Sequence, residues 1–230
     1  MDKILLMLQL QATLNEATNG DGWTSGVTKN SKVINWKRCI YMECAEMIGS
    51  FSWKHWKNID QEADWANLQI EVVDVWHFIM SLAIENYANS HKGGVEELAL
   101  DISELENFCK IDTKNELFAS QDEIMQKVES IIFNVLNRDN FELEKLIEEF
   151  FDLVVMSGLD LETLYKLYVG KNILNQFRQD NGYKDGSYIK VWAGEEDNVV
   201  MKRVLDESSN FSPNELYNEL TKLYLSLNKS

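Results

Sequence analysis

The sequence predicts an all-α protein, a helical bundle with few or no strands. Three observations carry that reading. A single proline in 230 residues leaves little of the punctuation that sheet proteins use. Every long segment repeats its apolar residues at three and four, and the breaks between segments hold the Gly, Asn, Asp and Ser that cap and end helices. At 45% apolar and 26% charged residues, the chain is also far from the composition of a disordered one.

The first helix is expected from Asp2 to about Ala17, where Ile4, Leu5 and Leu8 recur and Gln11 and Asn15 form a polar stripe. Gly-rich 19–26 and the aperiodic stretch to Lys32 read as loop. Ile40, Tyr41, Cys44, Met47, Ile48 and Phe51 define a second helix from about Val33 to Phe51, and Asp60 is the expected N-cap of a long third one to about Ala88. After a break at His91 to Gly94, residues 95–119 read as one or two short, acidic, surface helices. Ser120 and Glu123 have capping-box spacing for a helix to about Asn137, and Asn140 is expected to cap another through Met156, ended by Gly158. Asp160 opens a helix to about Gln179, stopped at 180–182, and Ser212, Pro213 and Glu215 open the last. Between them, 183–198 is turn-like with one short alternating run. One domain over 1–230 is expected, with 95–119 as an acidic helical insert and 212–230 as a C-terminal helix.

Charge narrows function. Twenty-two basic residues against 38 acidic ones give a net charge of −16, which repels a nucleic-acid backbone. An anionic nucleotide could still bind such a chain through divalent cations, which turn surplus carboxylate into an attractive site. Cys39, Cys44 and Cys109 lack metal or redox spacing and read as reduced thiols, which fits the cytoplasm. Neither a cleavable leader nor an uncharged apolar run of about 18 residues is expected from the pattern.

Glu43/Glu46 and Glu71/Asp74 each place two carboxylates on one helical face, within reach of one hard cation. The spacing recurs at Glu149/Asp152, about as often as composition alone produces it, so context must decide. Val72, Val73, Val75, Trp76, Phe78 and Ile79 surround the second pair, and a carboxylate in an apolar helix needs compensation. Two such helices packed antiparallel would face each other across a four-helix metal-binding core. The alternative is pairing with Arg38, Lys54 or Lys57, or a wet helix face. His77 lacks the partner that a carboxylate-histidine di-iron site requires, and reads instead as a hydrogen-bonded, partly buried imidazole.

Lys171, Asn175 and Arg178 form a second constellation, one polar stripe that suits a polyphosphate. Tyr183, Lys184, Tyr188 and Lys190 follow it directly. A solvated helix face with a basic C-terminus is the plainer reading of the same residues.

The order E43-C-A-E46, then 24 residues, then E71-V-V-D74 resembles the metal signature of the all-α nucleotide pyrophosphatases, the MazG-like superfamily that includes dimeric dUTPases. The run from G170-K-N-I-L-N-Q-F-R to E-E-D-N198 is similar to the phosphate-binding and closing segment of dimeric dUTPases in particular. Q9-L-Q11-A-T-L-N15 and S52-W53-K-H-W56 resemble that family's base-recognition elements, and the resemblance spans most of 4–198. It implies Mg²⁺ on Glu43, Glu46, Glu71 and Asp74, with Mn²⁺ as a substitute and Glu46 activating water. It implies phosphate contacts from Lys171, Asn175, Arg178, Tyr183 and Lys190, and base or sugar contacts from Gln11, Asn15, Trp53, His77 and Asn198, with Trp56 a rival to Trp53. It further implies a homodimer that acts on dUTP and dUDP to give dUMP. A related pyrophosphatase preferring dCTP or accepting many dNTPs, and a non-enzymatic acidic helical interaction protein, remain the competing readings.

Overall fold

The computed structural model describes residues 2–57, 62–137, 139–207 and 212–227, which fall into two compact units, 1–165 and 166–230. The first unit opens with α1 (Asp2–Asn19). The Gly-rich stretch that follows is a loop holding a short 3-10 turn at Trp23–Ser25, and Val27 pairs with Val33 in an isolated bridge. That bridge delays α2 (Trp36–Ile48), whose N-cap Asn35 accepts a hydrogen bond from the Arg38 amide at 2.9 Å. α3 (Trp65–Ser90) is capped by Asp64, which accepts from the Asn67 amide at 2.9 Å; the expected cap, Asp60, lies outside the described residues. The Asp64 amide donates to the Ser50 carbonyl at 2.9 Å, so the end of α2 is pinned to the start of α3 and the two helices run antiparallel.

α4 (Val95–Ser103) and α5 (Phe108–Ile111) fill the expected acidic insert. They are not merely surface helices, because Leu98, Ala99, Ile102 and Ile111 are buried, α4 against α1 and α5 against α7 (Leu143–Met156). α6 (Gln121–Leu136) begins with the expected capping box, Ser120 Oγ accepting from the Glu123 amide while Glu123 accepts from the Ser120 amide. α7 starts later than expected, and its cap position is Glu142 without a side-chain bond; Asn140 instead donates its amide to Asn137. Gly158, with φ of 68°, ends α7 as expected.

α2 packs on α3 and α6, and α7 packs on the same two helices, so the four close a ring around one core. Trp76 lies flat on Phe150 at 4.8 Å in that core. Here the third acidic pair is structural: Asp152 takes ion pairs from Lys110 and Lys127, and Glu149 accepts from Ser130 and Asn134.

α8 (Leu161–Asp180) is capped by Asp160, whose carboxylate accepts from the Thr163 amide at 2.8 Å. The second unit contains β1 (Val191–Trp192) and β2 (Glu195–Glu196), an antiparallel hairpin turned by Ala193 and Gly194 at φ of 49° and 95°. α9 (Asp197–Glu207) follows without a gap, and α10 (Pro213–Leu227) starts where Ser212 and Pro213 predict. α9 has no counterpart in the sequence reading. Gly170 lets it approach α8, since a Cβ there would lie 2.4 Å from Leu205 Cδ1. Phe177, Tyr188, Trp192 and Tyr224 form the aromatic core of this unit, with Tyr188 stacked on Tyr224 at 5.3 Å. Among the described residues no helix is long and apolar enough to cross a membrane.

Candidate active site

The antiparallel α2–α3 pair brings Glu43 and Glu46 against Glu71. One carboxylate oxygen from each lies within 4.8 Å of the others. Exposure grades inward across the group, from open Glu46 through half-buried Glu43 to Glu71, which is 8% exposed. Asp74, one turn on along α3 and half-buried, lies outside this group of three. Three anions this close raise one another's energy unless a cation shares them, and an all-oxygen donor set suits a hard divalent ion such as Mg²⁺. The adjacent Cys44 is no thiolate competitor, because burial, with the Glu43 charge adding, pushes its thiol up to about 12.

A buried polar network ties α1 to the same helix α3. Gln11 Nε2 donates to Asn15 Oδ1 and to Ser81 Oγ, both at 3.1 Å, and Asn15 Nδ2 donates to Ser81 Oγ at 3.0 Å. Ser81 in turn donates to the His77 carbonyl at 2.8 Å. Since the Gln11 amide nitrogen is committed, its oxygen faces His77 Nδ1 at 2.6 Å, which assigns the ring proton to Nδ1. Gln11, Asn15 and His77 therefore come together, and both Gln11 N–H donors are spent inside the protein. Asn15 retains one. Ser81 was not anticipated, although a lone hydroxyl one turn after His77 in so apolar a helix was the visible signal.

In the second unit, Lys171, Asn175 and Arg178 share one face of α8. Lys171 Nζ donates to Asn198 Oδ1 at 2.8 Å. Arg178 uses all three of its nitrogens: Nε and Nη2 lie 2.8 Å from different oxygens of Asp197, Nη2 also reaches Asn198 at 3.1 Å, and Nη1 reaches Asn175 at 3.2 Å. The Tyr188 hydroxyl completes the cluster, donating to Asp197 at 2.7 Å. Asp197 is wholly buried. Burial alone would raise its pKa, but Arg178, Tyr188 and Lys171 outweigh that and hold it below the ordinary carboxylate value. Burial and the Asp197 charge together push the Tyr188 phenol up, so it stays a donor. Asp197 went unnoticed in the sequence because it ends a run of turn-forming residues and opens an unexpected helix.

A family model described as dUTPase matches residues 3–183, most of the chain. The chain belongs to the dUTPase family. A search against curated proteins finds no match. The family assigns the activity, dUTP hydrolysis by a dUTP diphosphatase of the all-α type, in a family that generally depends on divalent metal.

Three further expected residues, Tyr183, Lys190 and Trp53, lie outside the hydrogen-bond networks just described. Tyr183 is half exposed with its ring 5.8 Å from the Arg178 guanidinium, and Lys190 is exposed and paired with Glu196 at 3.3 Å. Trp53 lines a groove of about 520 Å³ with Ala45, Ile48, Met125, Gln126 and two acidic residues of α6. At about 100° per residue, Ala45 and Ile48 point to the side of α2 opposite Glu43 and Glu46. Trp56 meets Trp53 edge-on at 5.5 Å.

Proposed function

We propose that this dUTPase is Mg²⁺-dependent and hydrolyses dUTP to dUMP and pyrophosphate, and dUDP to dUMP and phosphate, limiting uracil incorporation into DNA. It acts as a homodimer in the cytoplasm, with Mn²⁺ able to replace Mg²⁺. The observation that supports this most is the convergence of Glu43, Glu46 and Glu71 oxygens within 4.8 Å in a member of this family.

Glu43 and Glu71 hold the cation with Glu46, and Asp74 extends the set by one turn. A bound Mg²⁺ would neutralise phosphate charge and orient water for in-line attack. Glu46, the most exposed of the three, takes the proton from that water. Lys171 supplies a positive charge to the phosphates, while Arg178, committed to Asp197, chiefly positions Asn175 and Asn198. Asn15, with one N–H to spare, reads the uracil edge, and Gln11, His77 and Ser81 hold it in place. Trp53, on the groove across α2, has no part in this assignment.

The test is a panel of nucleoside triphosphates and dUDP, with and without Mg²⁺, scoring pyrophosphate and phosphate release. Metal-dependent release confined to dUTP and dUDP is expected, and equal rates on all bases would overturn the base preference. Glu46→Gln should abolish turnover while leaving nucleotide binding; an active variant removes Glu46 as the base.

A further inference from the structure

We propose that a groove at the C-terminal end of α3 docks a basic amphipathic segment of another protein, one that carries arginine beside leucine-like side chains.

The groove, of about 550 Å³, is walled by the end of α3, by α4 and by the start of α7, all within the first unit. That size falls among ligand-binding clefts, about 300–1,000 Å³. It is separate from the candidate active site, since Tyr87 stands about 20 Å along α3 from Asp74 at about 1.5 Å per residue. Its apolar lining includes buried Leu98, Ile102 and Ile147 and half-buried Leu105, Phe141 and Leu143, so part of that lining is open to a ligand. Its charged lining is acidic: Asp101 and Glu104 come from the end of α4, Glu142 and Glu144 from the start of α7, and Lys92 is the one cation among the described lining residues.

Charge and ring chemistry choose the occupant. Glu142 and Glu144 have a local reason for their positions, because anions suit the N-terminus of α7. Asp101 and Glu104 have none. They stand at the C-terminal end of α4, where the helix dipole disfavours anions, and no basic residue shares that last turn. Tyr87 donates to Asp101 at 2.6 Å, and the charges of Asp101 and Glu144 both push its phenol pKa up, so carboxylates from opposite walls bear on one side chain. Among the described residues none of the four carboxylates is in an ion pair.

The two rings already attract cations of this chain. Lys92 Nζ lies 5.5 Å from the centroid of Tyr87, and Lys37 Nζ, on a residue outside the groove lining, lies 3.4 Å from that of Phe141. A guanidinium suits this setting better than an ammonium, because it stacks on a ring while its edge pairs with a carboxylate. The apolar lining then calls for a second kind of side chain next to the cation, which a bare polyamine lacks and an amphipathic peptide supplies.

Fluorescence anisotropy of the full-length protein with a fluorescein-labelled amphipathic peptide of arginine and leucine tests it. Wild type is expected to bind saturably in the micromolar range, and more weakly as salt rises. Glu104→Gln combined with Glu144→Gln should weaken binding at least about tenfold, with an unchanged melting temperature as the control for folding. Glu207→Gln combined with Glu215→Gln, an exposed pair in the second unit that removes the same charge, should leave binding unchanged. Equal weakening by both pairs would mean that the peptide follows net charge alone, and overturns the groove. A peptide with serine in place of leucine is expected to bind more weakly. Undiminished binding of that peptide would make the groove a site for bare cations and overturn the docking of an amphipathic segment, as would the absence of saturable binding to wild type.

Discussion

Arg178 meets Asp197 through two parallel hydrogen bonds, Nε and Nη2 each 2.8 Å from a different carboxylate oxygen. The carboxylate is wholly buried and the side chain of Arg178 is 10% exposed. A pair this dry is expensive to break from one side, because the survivor keeps its desolvation cost and loses its partner. The same guanidinium reaches Asn175 and Asn198, and Asn198 also accepts from Lys171, so the pair sets the positions of three polar side chains.

Asp197→Asn should therefore cost about 3 kcal/mol or more in stability near neutral pH, located in the second unit. Its pH dependence has a defined sign. The folded pKa of Asp197 lies below its ordinary 3.8, so its stabilising contribution is present above that value and is lost as pH falls through the lower folded one. Urea denaturation of both proteins from about pH 6 to about pH 3 should show the gap between them narrowing only at the acid end. A gap that is constant with pH would mean that Arg178 is not what holds the carboxyl ionised. Arg178→Lys should be destabilising as well, since an ammonium cannot supply two parallel N–H groups.

Lys171 separates from Arg178 in its predicted phenotype. It makes one hydrogen bond to Asn198 within this cluster, and its assigned work is on phosphate. Lys171→Met should lower kcat/KM for dUTP by about 10- to 100-fold, the range for losing one charge-assisted hydrogen bond, with a smaller change in melting temperature than Arg178→Lys. Steady-state kinetics beside thermal melts check this. If Lys171→Met keeps wild-type kcat/KM, the phosphate role belongs elsewhere.

Ser81 makes a similar distinction in the first unit. Its oxygen accepts from both Gln11 and Asn15, and the residue is fully buried. Ser81→Ala strands two amide donors and should cost about 1–3 kcal/mol. Because those amides position Asn15, KM for dUTP should rise while kcat changes little. A variant with lower stability but unchanged KM would reduce the network to a structural one.

Local chemistry was readable from the sequence, and long-range pairing was not. The Ser120–Glu123 capping box, the Asp160 cap and the Gly158 stop depend on neighbours three or four residues away, and all three stand in the structure. Glu43/Glu46 and Glu149/Asp152 look alike as spacings. Only packing shows that the latter meets Lys110, Lys127, Ser130 and Asn134 while the former meets Glu71. α9 escaped notice because the turn residues before it mask its periodicity, and Asp197 escaped with it. The Lys171–Asn175–Arg178 stripe was visible, but its acidic partner 19 positions after Arg178 was not.

Binding of Mg²⁺ can be read without turnover. A cation that binds only the folded protein stabilises it by about 2.7 kcal/mol at a concentration 100 times its Kd, so the melting temperature should rise with added Mg²⁺ and fall back with EDTA. Glu71→Gln and Glu43→Gln each remove one of the three oxygens that converge within 4.8 Å, and each should abolish most of that rise. Asp74→Asn, outside that group, should keep a reduced rise if Asp74 only extends the set. Ca²⁺ is a useful control, since it accepts the same oxygens with a larger and looser shell. A melting temperature indifferent to Mg²⁺ in the wild type, or a full response in Glu71→Gln, would remove the carboxylate cluster as the metal site and leave the Glu46 assignment without support.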